Sequence, residues 1–135
     1  MPQLAGPVHY ASAGGTLTAF LDRLFMTEQI GNGGADFRLK PAAAAVSARR
    51  AGTTAALDQL NKYFTIMEMP VISSCYWNMV HGQEPSEVEQ DLERLQVLRT
   101  LARNMAYFMK CRKAAEKAGI PLPEKEEPVG TNFIR

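Results

Sequence analysis

The stretch Pro41-Ala-Ala-Ala-Ala-Val46, followed by Ser47-Ala-Arg-Arg-Ala-Gly52 and then Thr53-Thr54, decides how this chain folds. It reads as a buried strand, a tight polar turn and the start of a helix capped by Thr53 or Thr54. In open α/β sheets, ligands bind outside the carboxyl ends of strands, where turns present backbone N–H groups and small side chains. A turn of this composition suits a flat, hydrogen-bonding ring better than it suits a packed core.

Around that segment the pattern alternates strand and helix. Pro7 to Tyr10 is a short extended piece, followed by the small, flexible Ala11-Ser-Ala-Gly-Gly15. Leu17, Phe20, Leu21, Leu24 and Phe25 then recur at helical spacing, which predicts a helix from Thr16, as its cap, to Phe25. Glu28 to Arg38, with Gly31, Gly33 and Gly34, reads as a mobile loop. After the opening strand, Leu57, Leu60 and Phe64 mark a second helix. Met69-Pro70-Val-Ile-Ser-Ser-Cys75 is a third strand candidate, Pro70 being tolerated where a strand begins. It empties into the aromatic loop Tyr76-Trp-Asn-Met-Val-His-Gly82, so three strand ends are expected on one side of the sheet.

From Pro85 to Ala118 the stripe Val88, Leu92, Leu95, Leu98, Leu101, Ala102, Met105 and Phe108 predicts one long amphipathic helix. Glu84, Glu87, Glu89, Asp91 and Glu93 at its start, and Lys110, Arg112, Lys113 and Lys117 at its end, complement the helix dipole. These charges read as a solvated face. Gly119 stops the helix, with Pro121 beyond it. Residues 120–135 form an extended C-terminal tail suited to draping over a neighbouring surface.

At 135 residues the chain fits a single domain with a real core. Its formal charge of +1 argues against a nucleic-acid or membrane-surface role, which calls for a clustered basic excess. Cys75 and Cys111 show no ligand spacing, so neither a metal site nor a disulfide framework is indicated, and both read as half-buried thiols in a reducing cytosol. The N-terminus lacks the basic and apolar regions of a signal peptide, and no apolar run approaches the roughly 20 residues of a membrane span. The expected location is cytoplasmic.

Four motifs in order carry a family resemblance: Pro7-Val-His-Tyr-Ala-Ser-Ala-Gly-Gly15, Thr16-Leu-Thr-Ala-Phe-Leu-Asp-Arg-Leu-Phe25, Val46-Ser-Ala-Arg-Arg-Ala-Gly-Thr-Thr54 and Tyr76-Trp-Asn-Met-Val-His-Gly82. Together they resemble the NAD(P)H-dependent FMN reductases of the flavodoxin-like superfamily. The resemblance implies an α/β/α three-layer fold with a parallel sheet, here of about three strands and three helices. It further implies FMN, NAD(P)H as electron donor, and a homodimer. It places Pro7, Val8, His9, Tyr10, Ala11 and Ser12 beside the isoalloxazine, with Gly14 nearby. Ser47, Ala48, Arg49, Arg50, Gly52 and Thr53 form the other wall, and Trp77 and His81 line the cleft for nicotinamide or an acceptor. Gly52 would allow close backbone approach, and Arg49 or Arg50 would offset charge developing on the reduced ring.

Members of that family begin with a strand, a Ser/Thr-rich phosphate loop and further elements, whereas this sequence is expected to start inside their third strand. His9 and Gly14 also stand where the family commonly shows Tyr and Asn. The rival expectation is a non-catalytic paralogue that pairs the exposed edge of its first strand with another chain. Plainer readings accompany each residue: solvated turn charges for Arg49 and Arg50, a partly buried strand position for His9, and core or dimer packing for Tyr76 and Trp77. Ser12 and Ser47 lack a His/Asp arrangement, so nucleophilic catalysis is not expected.

Overall fold

Two faces of packed helix explain why the central strand is built almost wholly from alanine. The computed structural model describes residues 3–133, and in it the opening segment becomes strand β3, Ala43–Ala48. Ala42, Ala44 and Val46 turn to one side and Ala43 to the other, and all four are buried. Small side chains let helices approach both faces, and the near-continuous apolar run is the sign of such a strand.

On one side of β3 lies β1, Gln3–His9, parallel to it with Pro7 opposite Ser47. On the other lies β4, Met79–His81, also parallel, with Ala48 opposite His81. A fourth, two-residue strand, β2 at Ser12–Ala13, folds back antiparallel on the end of β1. The sheet order is β2-β1-β3-β4, so the sheet is mixed and four-stranded among the described residues, not a purely parallel three-stranded one. The first strand is also longer than Pro7–Tyr10. Its outer edge is not bare throughout, because β2 pairs with Val8 and His9.

Helix α1, Gly15–Asn32, and helix α2, Thr53–Ile66, pack on the same face. Leu21 and Phe25 of α1 meet Leu57, Leu60 and Phe64 of α2 in the main core, together with Leu4, Val8, Ala44 and Val46. The expected mobile loop from Glu28 is mostly helix and turn. Gly33, at φ +65°, stops α1 in the left-handed region, with Gly33 N–H donating to Gln29 O and Gly34 N–H to Glu28 O. The Glu28 carboxylate then accepts from the Asp36 N–H at 2.9 Å, and Phe37 packs on Phe25 with ring centroids 5.0 Å apart. Local glycines suggested mobility, but aromatic packing and a carboxylate anchor order the turn.

The third strand is assembled differently from the sequence reading. Only Val71 bridges β3, opposite Ala42, and Ile72 N–H donates to Ala42 O. Ser73 to Trp77 then bulge from the sheet edge before Val46 N–H resumes the ladder at Asn78 O. Tyr76 and Trp77 therefore leave the middle of an edge strand rather than a carboxyl end. A bulge of this kind blunts an exposed edge.

The long helix is two. A single turn, α3 at Pro85–Val88, is followed by α4, Leu92–Lys117. Asp91 separates them and caps α4, its Oδ1 accepting from Arg94 N–H and its Oδ2 from His81 N–H at 2.9 Å. Helix α4 covers the second sheet face, where Met105 and Leu101 pack on Ala43 and Ile72. At 26 residues it is about 39 Å long, against about 20 Å for six-residue β3. Its far half therefore overhangs the sheet, which leaves Tyr107 and Phe108 exposed despite their place near the apolar stripe. Ala5, Pro7 and His9, on the α4 side of β1, are exposed as well. Gly119 ends α4 at φ +71° as expected.

The tail returns to the body. Arg38 Nη1 donates to Pro123 O at 2.9 Å, and Lys125 Nζ donates to Gly33 O at 2.5 Å and lies 3.6 Å from the Glu68 carboxylate. Arg38 also pairs with Glu68 at 2.6 Å, and that hydrogen bond holds the exposed Glu68 carboxyl below its usual range. Cys75 and Cys111 are both free and exposed, not half-buried. No described helix is long and apolar enough to cross a membrane.

Candidate functional site at the strand ends

The strongest local irregularity in the chain is the turn between β1 and β2. Tyr10 and Ala11, at φ +47° and +58°, both occupy the left-handed region that a two-residue hairpin of the primed kind requires. Neither is Gly or Asn, so each costs about 1–2 kcal/mol. Such strain persists only where the surroundings hold it, and it concentrates at functional sites.

Three contacts do the holding. Ser12 Oγ donates to Gln59 Oε1 at 2.7 Å, and Ala13 N–H donates to the same oxygen at 3.1 Å, so one side chain of α2 clamps β2. The third is Gly52, at φ +95°, where a Cβ would lie 2.5 Å from Ala11 Cα and 2.9 Å from Val8 Cγ1. Gly52 does permit a close backbone approach. The approaching backbone is the hairpin of this chain.

That contact locks the two expected walls together: residues 9–12 at the end of β1, and residues 49–53 after β3. Ser47 and Ala48 belong to β3 itself, half-buried and buried, while Arg49 and Arg50 are exposed on the turn. Thr53 is buried but caps nothing, and neither does Thr54 or Thr16. The N-caps of α1 and α2 are Gly14 and Gly52, and neither helix has a side-chain cap or an acid in its first turn. Both helices therefore begin beside the strand ends with free N–H groups and uncompensated positive dipole ends. With the exposed Arg49 and Arg50 added, this surface favours an electron-rich, hydrogen-bond-accepting edge.

His9 is exposed, not a partly buried strand residue. The position a Gly14 Cβ would take lies 3.2 Å from His9 Cδ2. A side chain at 14 would therefore require the exposed imidazole at 9 to shift by a few tenths of an ångström. Tyr10, at the hairpin tip, is fully exposed.

At the far side, His81 ends β4 with its Nδ1 3.8 Å from Asp91 Oδ2, and Gly82 N–H donates to Ala48 O. Trp77 is not among these residues. It stands in the edge bulge, 4.9 Å from the Tyr76 ring, whose other contact is the Arg94 guanidinium at 4.4 Å. Gln59 and Arg94 went unread in the sequence, and Asp91 was read only as a solvated charge near a helix start. Asp91 had a signal, an N-cap acid just before an apolar residue, whereas the reach of Gln59 to β2 has no local signature.

Parallel strands in the order β1-β3-β4 with helices on both faces make a flavodoxin-like α/β protein. The family model of the NADPH-dependent FMN reductases matches residues 4–84, from β1 through the end of β4, and the chain belongs to that family. Comparison with curated proteins finds no match.

Proposed function

We propose that this chain is an FMN-dependent NAD(P)H oxidoreductase whose flavin ring rests on the outer surface of the joined 9–12 hairpin and 49–53 turn. The observation that carries this reading is the packing of Ala11 on Gly52, which fastens a strained, exposed hairpin to a turn bearing two arginines and an uncapped helix end. The donor set fits the flavin's pyrimidine edge, which offers carbonyl acceptors. When bound, FMN supplies the capacity to accept a hydride from a nicotinamide and pass electrons on.

The chain's own residues bind and orient. With FMN bound, the N–H groups at the starts of α1 and α2 would serve its carbonyl acceptors, and Arg49 or Arg50 would offset negative charge gained on reduction. Gln59 and Gly52 keep the hairpin at its place, so the pocket wall is formed before the ligand arrives. No side chain is asked to act as acid or base.

Titration of the purified protein with FMN, followed by quenching of flavin fluorescence, tests this. Binding is expected, with Arg49→Ala/Arg50→Ala weakening it about tenfold, the effect of one lost charge-assisted hydrogen bond. A Lys62→Ala control should bind as the parent does. Protein that stays colourless and unquenched in excess FMN refutes the reading.

A further inference from the structure

A groove of about 390 Å³ runs between α1 and α2 on the side away from the sheet, lined by Asp22, Phe25, Met26, Gln29, Tyr63, Ile66 and Met67. Its walls are mostly apolar, and Met26 and Ile66 are exposed along it. Its foot is marked by Gly34, whose Cβ position lies 3.0 Å from Met67 Cε and 3.2 Å from Gln29 Oε1. The C-terminal tail is tethered at that same foot, through Lys125 on Gly33 O and Glu68. Beyond the tether, Val129 and Phe133 project into solvent at 90% and 92% exposure.

We propose that the tail closes this groove in cis, seating Phe133 and Val129 between α1 and α2. Reach allows it. Lys125 to Phe133 is eight residues, up to about 26 Å when extended, whereas Gly33 back to Asp22 is eleven residues of helix, about 16 Å. Tethering at Lys125 makes the docking intramolecular, at an effective concentration of the order of millimolar. A separate chain would need to bind tightly to compete. This inference does not depend on the flavin reading, because the groove lies at the outer face of the helical layer.

The test is a disulfide trap in a Cys75→Ser/Cys111→Ser background, with Gln29→Cys in the groove and Thr131→Cys in the tail. Oxidation should yield an intrachain cross-link at monomer mass, and adding Phe133→Ser should slow its formation at least tenfold. A cross-link at dimer mass would assign the groove to a second copy and overturn the proposal. An intrachain cross-link unaffected by Phe133→Ser would show mere tethered collision and overturn it too. In the otherwise unmodified protein, Phe133→Ser should raise the fluorescence of an added apolar dye about twofold, and unchanged dye binding would count as refutation.

Discussion

Gly52→Ala probes the contact on which the proposed site depends. The substituted residue would have to hold φ near +95°, at a cost of about 1–2 kcal/mol for an L side chain. Its Cβ would also sit 2.5 Å from Ala11 Cα, where carbons normally stay about 3.5 Å or more apart, so the hairpin must retreat by about 1 Å. Forcing a backbone out of a packed position adds about 1–3 kcal/mol, for a total of about 2–5 kcal/mol. At roughly 3–5 °C per kcal/mol for a domain of this size, thermal unfolding should fall by about 6–25 °C. Gly119→Ala separates the two terms, because Gly119 shares the positive φ, at +71°, but has open space around its Cβ. It should lose only the conformational cost. Circular dichroism melts of both variants decide the matter: if Gly52→Ala unfolds within about 2 °C of Gly119→Ala, Ala11 does not rest on Gly52. Under the flavin reading, Gly52→Ala should also bind FMN more weakly while Gly119→Ala binds it unchanged.

Two further outcomes follow from other parts of the fold. A cavity of about 150 Å³ is lined by Ala43, Ala44 and Ala45 of β3 and by Leu98, Leu101, Ala102 and Met105 of α4. Ala45→Val should fill part of it and raise the urea midpoint by about 0.5–1.5 kcal/mol of stability, and a lowered midpoint would mean the space is not there. Tyr63 donates to Asp22 Oδ1 at 2.5 Å, and burial, followed by that carboxylate, pushes its phenol up from 10.0 to about 12. A raised folded value means the folded state holds the proton more firmly. The contribution is therefore complete below pH 10 and is lost as pH rises toward 12. The stability difference between the parent and Tyr63→Phe should shrink across that window, and a difference that stays flat from pH 9 to 12 would contradict it.

Periodicity and composition made the core of this fold legible. The alanine run, the Leu57-Leu60-Phe64 stripe and the Gly119 stop are each decided by local chemistry: small apolar residues between two layers, apolar side chains on one helix face, and a residue free to adopt positive φ. Length misled where local pattern had no view of the sheet. The Pro85–Ala118 stripe reads as one helix, yet Asp91 breaks it to hold the end of β4, and α4 outruns a strand half its length. Met69–Cys75 reads as a strand, yet the ladder keeps only its middle and resumes after a five-residue bulge.

The site divides in the same way. The sequence by itself placed the segment after Pro7 and the arginine turn at strand ends and likened them to one family of flavin reductases, because those features depend on residue type and order. Only the tertiary structure decided that Gly52 serves the hairpin through Ala11, that Gln59 holds β2, and that Trp77 lies on the far edge. Each of these is a contact between residues distant in the chain or a consequence of strand register. Such contacts are set by how the layers pack, and no local spacing records them.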